Sequence, residues 1–230
     1  MARDLHVPAF IGHRWRRLRG RPRHGVDLCI ESLFIGTSYG GYAILPELVT
    51  AESVVYSVGI GEDISFDLGV VERFECFIHG FDFTPRSLAW LSDQSLPERF
   101  IVHPFGVAEF DGTASFAPPE NPKHVSHSVL PGKRGERVEF PVKRLATIAN
   151  ELGHDHIDVL KLDVEGAEYA VLDDLLTGER LPRQLMVEFH HGIAGVSLAT
   201  TERAIDRLRS AGYRVFDVRP TGREFSLVLG

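Results

Sequence analysis

The chain has 230 residues, 43% hydrophobic and 25% charged, the proportions of an ordinary globular protein long enough to bury one substantial core. Its 25 basic residues against 32 acidic ones leave a net charge of −7, so no general attraction to nucleic acid is expected, and no apolar run of about 18 residues is available to span a membrane. Only Cys29 and Cys76 are present, and no apolar h-region follows the N-terminal charges, which fits a reduced cytoplasmic protein better than a secreted disulfide scaffold.

Residues 1–50 read as a peripheral segment or cap. Six arginines between Arg14 and Arg23 lie together with no acid among them. That block reads as solvated, with an anion-binding cap or a nucleic-acid arm as the sharper alternatives. A weak apolar run from Val26 to Ile35 leads to GTSYGG, and the Tyr39-Gly40-Gly41 turn stands where it could close over a ligand. The first clear element is the strand Val54–Val58, where β-branched and aromatic residues crowd together without helical spacing. Gly59 and Gly61 end it, and a helix is expected next with Asp63 as N-cap. Strand, glycine turn and helix open a nucleotide-binding α/β unit, although Ile64 stands where the third glycine of a dinucleotide fingerprint would be.

A second strand is expected over Glu75–Asp82. Its terminal acid lies 21 positions beyond Gly61, the spacing at which such folds place the carboxylate that accepts the ribose hydroxyls. Phe83 beside it is suited to an adenine face. A short helix over Ser87–Leu91 precedes a third strand, Phe100–Val107, interrupted by Pro104 and carrying Gly106 where backbone can approach a ligand. The span 111–141 then departs from simple alternation. Asp111-Gly112 reads as a hairpin-type turn, and Thr113–Phe116 with Arg137–Phe140 as a small antiparallel ribbon around a long proline-rich loop, Ala117–Gly135. The loop carries His124, Ser126 and His127, of which Ser126 and His127 are the expected substrate contacts, so the span is read as an insertion or lid.

The second half is more regular. Leu145, Ile148, Ala149 and Leu152 recur at helical spacing and Gly153 stops them. A buried strand over Ile157–Asp163 follows, then a helix over Gly166–Leu176, a strand over Gln184–His190 and a helix over Thr201–Ala211. Two last strands, Tyr213–Val218 and Glu224–Leu229, are close enough for a hairpin. The expected fold is therefore α/β, a seven-stranded and mostly parallel sheet ending in an antiparallel hairpin. Its carboxyl edge would collect Gly59, Gly61, Asp82, Gly106, Asp163, Glu165, Glu188 and His190. An apolar core has no need of so many polar groups on one edge, and unpaired buried carboxylates are costly.

VVYSVGIGE, IHGFDFTP, KLDVEGAEYAVL at Lys161–Leu172 and MVEFH at Met186–His190 together resemble the FkbM-type methyltransferases over roughly Val54–Leu229. The KLDVEGAE run is the most specific of these, while Ser57 and Ile60 replace the Asp and the Ala-Asn pair of the commoner first motif. The resemblance implies a Rossmann-like class I methyltransferase domain over 51–230, using S-adenosylmethionine to methylate a hydroxyl of a sugar or secondary metabolite. It implies cofactor contacts from Gly59, Ile60, Gly61, Asp82, Phe83, Gly106, Val107 and Asp163, and chemistry from His190, Asp163 and Glu165. Glu188 would join the substrate contacts. His190 is the first choice of general base because an imidazole titrates near working pH. Asp163 and Glu188 are the residues most suited to Mg²⁺, should the reaction need it. An NAD-dependent oxidoreductase and a silent cofactor-binding module are the alternatives.

Overall fold

The computed structural model describes residues 25–116, 138–192 and 195–230. The arginine block and His124, Ser126 and His127 lie outside the described residues. Short apolar segments set the architecture. In chain order the strands are β1 (Leu33–Ile35), β2 (Tyr42–Ile44), β3 (Val54–Val58), β4 (Phe77–Phe81), β5 (Phe100–His103), β6 (Gly106–Val107), β7 (Gly112–Phe116), β8 (Val138–Lys143), β9 (Val159–Leu162), β10 (Gln184–Glu188), β11 (Tyr213–Val218) and β12 (Glu224–Leu229). The helices are α1 (Ser65–Phe74), α2 (Pro85–Ser92), α3 (Leu145–Leu152), α4 (Glu168–Leu175) and α5 (Leu198–Ser210).

Seven strands form the main sheet in the order β11-β12-β10-β9-β3-β4-β5. From β10 to β5 every pairing is parallel, while β12 runs antiparallel to both β10 and β11. The expected hairpin thus closes the sheet with its second strand inserted beside β10. Alternation along β3 divides the core: Tyr56 and Val58 pack with Leu160 and Leu162 on one face, and Val55 with Val159, Ile78 and Met186 on the other. The crossover geometry of five parallel strands brings their carboxyl ends to one edge.

Pro104 divides the expected third strand. It lacks the N–H that a sheet ladder needs, so β5 stays in the main sheet while β6 joins β7 and β8 in a separate sheet of order β6-β8-β7. Because β6 and β7 flank β8, Asp111-Gly112 is not the turn of a hairpin between paired strands. Asp111 instead accepts from Arg144 N (2.9 Å) and Thr147 Oγ1 (2.8 Å), holding the start of α3. The ribbon itself forms as expected, with β7 and β8 antiparallel. Ile64, not Asp63, is the cap of α1, although Asp63 Oδ1 accepts from Ser65 N at 2.8 Å. The β1–β2 hairpin is pinned to the sheet, where Gln184 Oε1 accepts from Leu45 N at 2.7 Å and its Nε2 donates to Leu45 O at 3.2 Å. Among the described residues no helix is long and apolar enough to cross a membrane.

A cluster of rings lies under β4 and β5. His79 Nδ1 is 2.9 Å from His103 Nε2, and Tyr56 OH is 2.8 Å from His154 Nδ1. Burial, helped by the neighbouring imidazoles, pushes the His79 pKa down from 6.5 to about 4. Between those values the unfolded chain binds a proton that the folded chain refuses, so stability is complete above the upper value and falls as pH drops toward the lower one. A loss on the order of 2 kcal/mol near pH 5 is expected from this group. Denaturant melts at about pH 5 and pH 7.5 should show it, and the difference should shrink in His79→Gln.

Candidate active site

The carboxyl ends of β3, β4, β9 and β10 open into a cleft of about 470 Å³. Gly59, Ile60, Gly61, Asp82, Phe83, Gly106, Val107 and Asp163 all line it, as do Glu165 and Glu188. Chain geometry explains the first wall. Gly59 has φ +78°, and a Cβ there would sit 1.6 Å from the Asp163 carbonyl oxygen, so the glycine lets β3 and β9 approach at their ends. Lys161, buried in β9, donates from Nζ to Gly59 O at 2.8 Å and fixes the turn from below. Behind the loop Asp67 is fully buried; burial raises its pKa, against the Lys161 charge.

Asp82 lines the cleft as its spacing predicts and also holds the glycine loop. Its Oδ2 accepts from Ile60 N (3.1 Å) and Gly61 N (3.0 Å), and its Oδ1 accepts from Thr84 N and Thr84 Oγ1, both at 2.8 Å. A carboxylate offers about four acceptor sites, so these four donors use its ordinary capacity. The Ile60 and Gly61 amides, expected to face a cofactor, are therefore held by Asp82, which acts first as the clamp of the glycine loop. Asp82→Ala would leave several buried N–H groups without acceptors and is expected to cost on the order of 3 kcal/mol in a thermal or denaturant melt. On the facing wall a Cβ at Gly106 would lie 2.8 Å from the Phe83 ring, so that glycine admits the ring. Phe83 also packs against Phe140, with ring centres 4.8 Å apart.

The second wall is built by the turn after β9. Glu165 and Gly166 both have positive φ, +48° and +105°, which delays α4 to Glu168. A non-glycine residue held in the left-handed region costs energy and is characteristic of functional turns. Glu168 holds it in place: fully buried, it accepts from Gly166 N through Oε2 (2.7 Å) and from His190 N through Oε1 (2.8 Å). His190 is thereby turned so that Nδ1 lies 3.3 Å from Glu168 Oε1. Its Nε2 lies 3.5 Å from Glu165 Oε2, 3.6 Å from Asp163 Oδ1 and 3.8 Å from Glu188 Oε1.

These surroundings set the proton affinities. Burial disfavours a charged His190, yet Glu168, Asp163 and Glu165 outweigh it and raise its pKa to about 9. That direction favours the charged imidazole over the free base that the role expected of His190 requires. Burial and the Asp163 charge raise Glu188 to about 7, with His190 opposing them. Asp163 is raised as well, by its burial, so the carboxyls at the ends of β9 and β10 hold their protons more tightly than free acids do. His191 Nδ1 meets Thr201 Oγ1 at 3.3 Å on the side of α5.

The β1–β2 turn reaches the cleft mouth, which Tyr39 and Gly40 also line. Thr37 ties this turn to the start of α1 by donating from Oγ1 to Asp63 Oδ2 at 2.6 Å and accepting from Gly40 N at 3.1 Å. Lys161 and Glu168 were given no separate roles by spacing alone. Their signal was membership of the KLDVEGAE run, in which every charged residue proves to face the turn or the cleft.

The family described as Methyltransferase FkbM domain matches residues 24–215. A probable methyltransferase-like protein 24 of Rattus norvegicus is 27% identical over 169 residues, 72% of this chain and 40% of that protein. The AMB antimetabolite synthetase AmbE of Pseudomonas aeruginosa is 28% identical over 149 residues, 54% of this chain and 7% of that protein. The chain therefore spans less than half the length of these curated relatives. Among solved structures, methyltransferase FkbM from Methylobacillus flagellatus KT overlaps with a TM-score of 0.49 at 12% identity, covering 79% of this chain and 44% of that one.

Proposed function

The chain belongs to the FkbM methyltransferase family, and from that premise we propose that it transfers a methyl group from S-adenosylmethionine to a hydroxyl of a small molecule, a sugar or secondary metabolite. The observation that carries this reading is the division of one cleft into a glycine-loop wall and a wall of carboxylates around an imidazole. The residues present fit the cofactor. The cleft has the volume of a site that buries a ligand of this size, and Ile60, Phe83 and Val107 offer apolar surface for adenine. Bound there, the cofactor supplies a methyl carbon made electrophilic by its sulfonium.

The chain's own residues would do the rest. Gly59 and Gly61 keep the loop close and smooth, and Asp82 and Lys161 hold its shape. Asp163 and Glu165 orient the acceptor hydroxyl, and Glu188 takes its proton as the oxygen–carbon bond forms and the carbon–sulfur bond breaks, the bonding pair leaving with sulfur. Positioning of this kind supplies much of the rate in a displacement reaction. The family match lends the nicotinamide alternative no support.

The test is incubation of the chain with S-adenosylmethionine carrying a labelled methyl and a metabolite extract, followed by mass spectrometry. The expected product is an acceptor heavier by one methylene unit, with label on oxygen. Label recovered only in unreacted cofactor across extracts that support a control methyltransferase would overturn the proposal.

A further inference from the structure

We infer that Asp163, Glu165 and His190 form a binding site for one divalent cation, ligated by one oxygen of each carboxylate and by the imidazole Nε2. The inference rests on the active-site reading above and extends it. One donor atom from each of the three residues lies within 4.8 Å of the other two. The separations of Nε2 from the two carboxylate oxygens, 3.6 and 3.5 Å, exceed the usual hydrogen-bond length of about 2.7 to 3.2 Å. They match two donors each about 2.1 Å from a shared ion and separated by an angle near 110 to 120°.

A second observation comes from the imidazole itself. The His190 side chain is only 4% exposed, and its Nδ1 has no hydrogen-bond partner within ordinary geometry. Nδ1 faces Glu168 Oε1 at 3.3 Å, so the ring has a buried carboxylate behind it and its other nitrogen aimed at the cleft. Carboxylate, imidazole and ion in line is the arrangement that fixes the tautomer and orientation of a metal-bound histidine. The Glu168–His190 backbone hydrogen bond sets that orientation before any ion arrives. Charge points the same way, since four carboxylates surround the one imidazole, with the Lys161 ammonium also acting on Asp163.

The ligand set differs from the Asp163–Glu188 pair expected for Mg²⁺. An imidazole with two carboxylates suits Mn²⁺ or Zn²⁺ better than Mg²⁺, which prefers oxygen and water. Three protein ligands leave a coordination position open, as catalytic sites do, and Asp163 and Glu165 both line the cleft from which an acceptor would enter. A hydroxyl bound there would be acidified next to Glu188.

The test is titration of Mn²⁺ into the chelator-treated full chain, followed by calorimetry and by the electron paramagnetic resonance of free Mn²⁺. One saturable site per chain is expected, weakened at least about 100-fold in Asp163→Asn and His190→Gln and about 10-fold in Glu168→Gln. The thermal melt of each variant serves as the control for folding, and the wild-type chain's affinity for S-adenosylhomocysteine as the control for the cofactor site. A chain that binds S-adenosylhomocysteine but neither Mn²⁺ nor Zn²⁺, or whose binding of them ignores these substitutions, overturns the cation site and leaves the cofactor reading standing. A chain that binds no S-adenosylhomocysteine overturns the reading on which the site rests.

Discussion

Glu188→Gln is expected to lower turnover about 100- to 10,000-fold, the usual range for removing a positioned base, while affinity for S-adenosylhomocysteine changes little. The amide keeps the size and polarity of the side chain at the end of β10 but accepts no proton. The pH dependence supplies the sharper reading. With its pKa raised to about 7 by burial and by Asp163, Glu188 is protonated and idle on the acid side and becomes a base as pH rises through that value. Turnover in the wild-type chain should climb through neutrality to a plateau, and the residual turnover of Glu188→Gln should lose that limb. A limb that survives the substitution would assign the titration to another group.

Among the described glycines, Gly59→Ala is expected to be the most damaging single-methyl change. The new Cβ would meet the Asp163 carbonyl oxygen at 1.6 Å, in a residue whose φ of +78° already disfavours a side chain. Neither side can yield cheaply. Gly59 is held by Gly59 N to Phe81 O at 3.0 Å and by Lys161, and Asp163 by its N–H to Val58 O at 3.0 Å. The ends of β3 and β9 would have to separate where both walls of the cleft begin. A loss of roughly 3 to 5 kcal/mol follows, lowering the melting temperature by about 10 °C. The surviving folded fraction should bind S-adenosylhomocysteine far more weakly. A near-normal melt would show that the strand ends tolerate separation and that the packing argument is wrong.

The sheet was legible because its strands announce themselves. VVYSV, FIHGF, VLKL and QLMVE are short, apolar and bounded by breakers, and the helices between them carry their own spacing and stops. Physical interactions between distant segments hid the rest. The three-residue strands of the β1–β2 hairpin owe their existence to docking on Gln184 and α1, so no local pattern marks them. The start of α4 moved because Glu165 is left-handed, a conformation that only its surroundings enforce.

Site membership was easier to read than site roles. The 21-residue spacing found Asp82, yet spacing is blind to whether a carboxylate's acceptor sites are already filled by the loop it helps to shape. The His190 proton affinity is set by acids from the β9 turn, α4 and β10, which meet only in three dimensions. Glu168 shows the same limit from the other side, since its motif position drew attention to the run but its clamp on Gly166 and His190 is a property of the fold.

The central claim is that the glycine loop holds the cofactor while the carboxylate wall performs the chemistry. Calorimetric titration of S-adenosylhomocysteine into the wild-type chain, Glu188→Gln and Asp82→Ala tests it most directly. The account predicts one site per wild-type chain, closely similar affinity in Glu188→Gln, and at least about tenfold weaker binding once Asp82 no longer holds the loop. Absence of binding to the wild-type chain, or affinity that falls with Glu188 and not with Asp82, would contradict it.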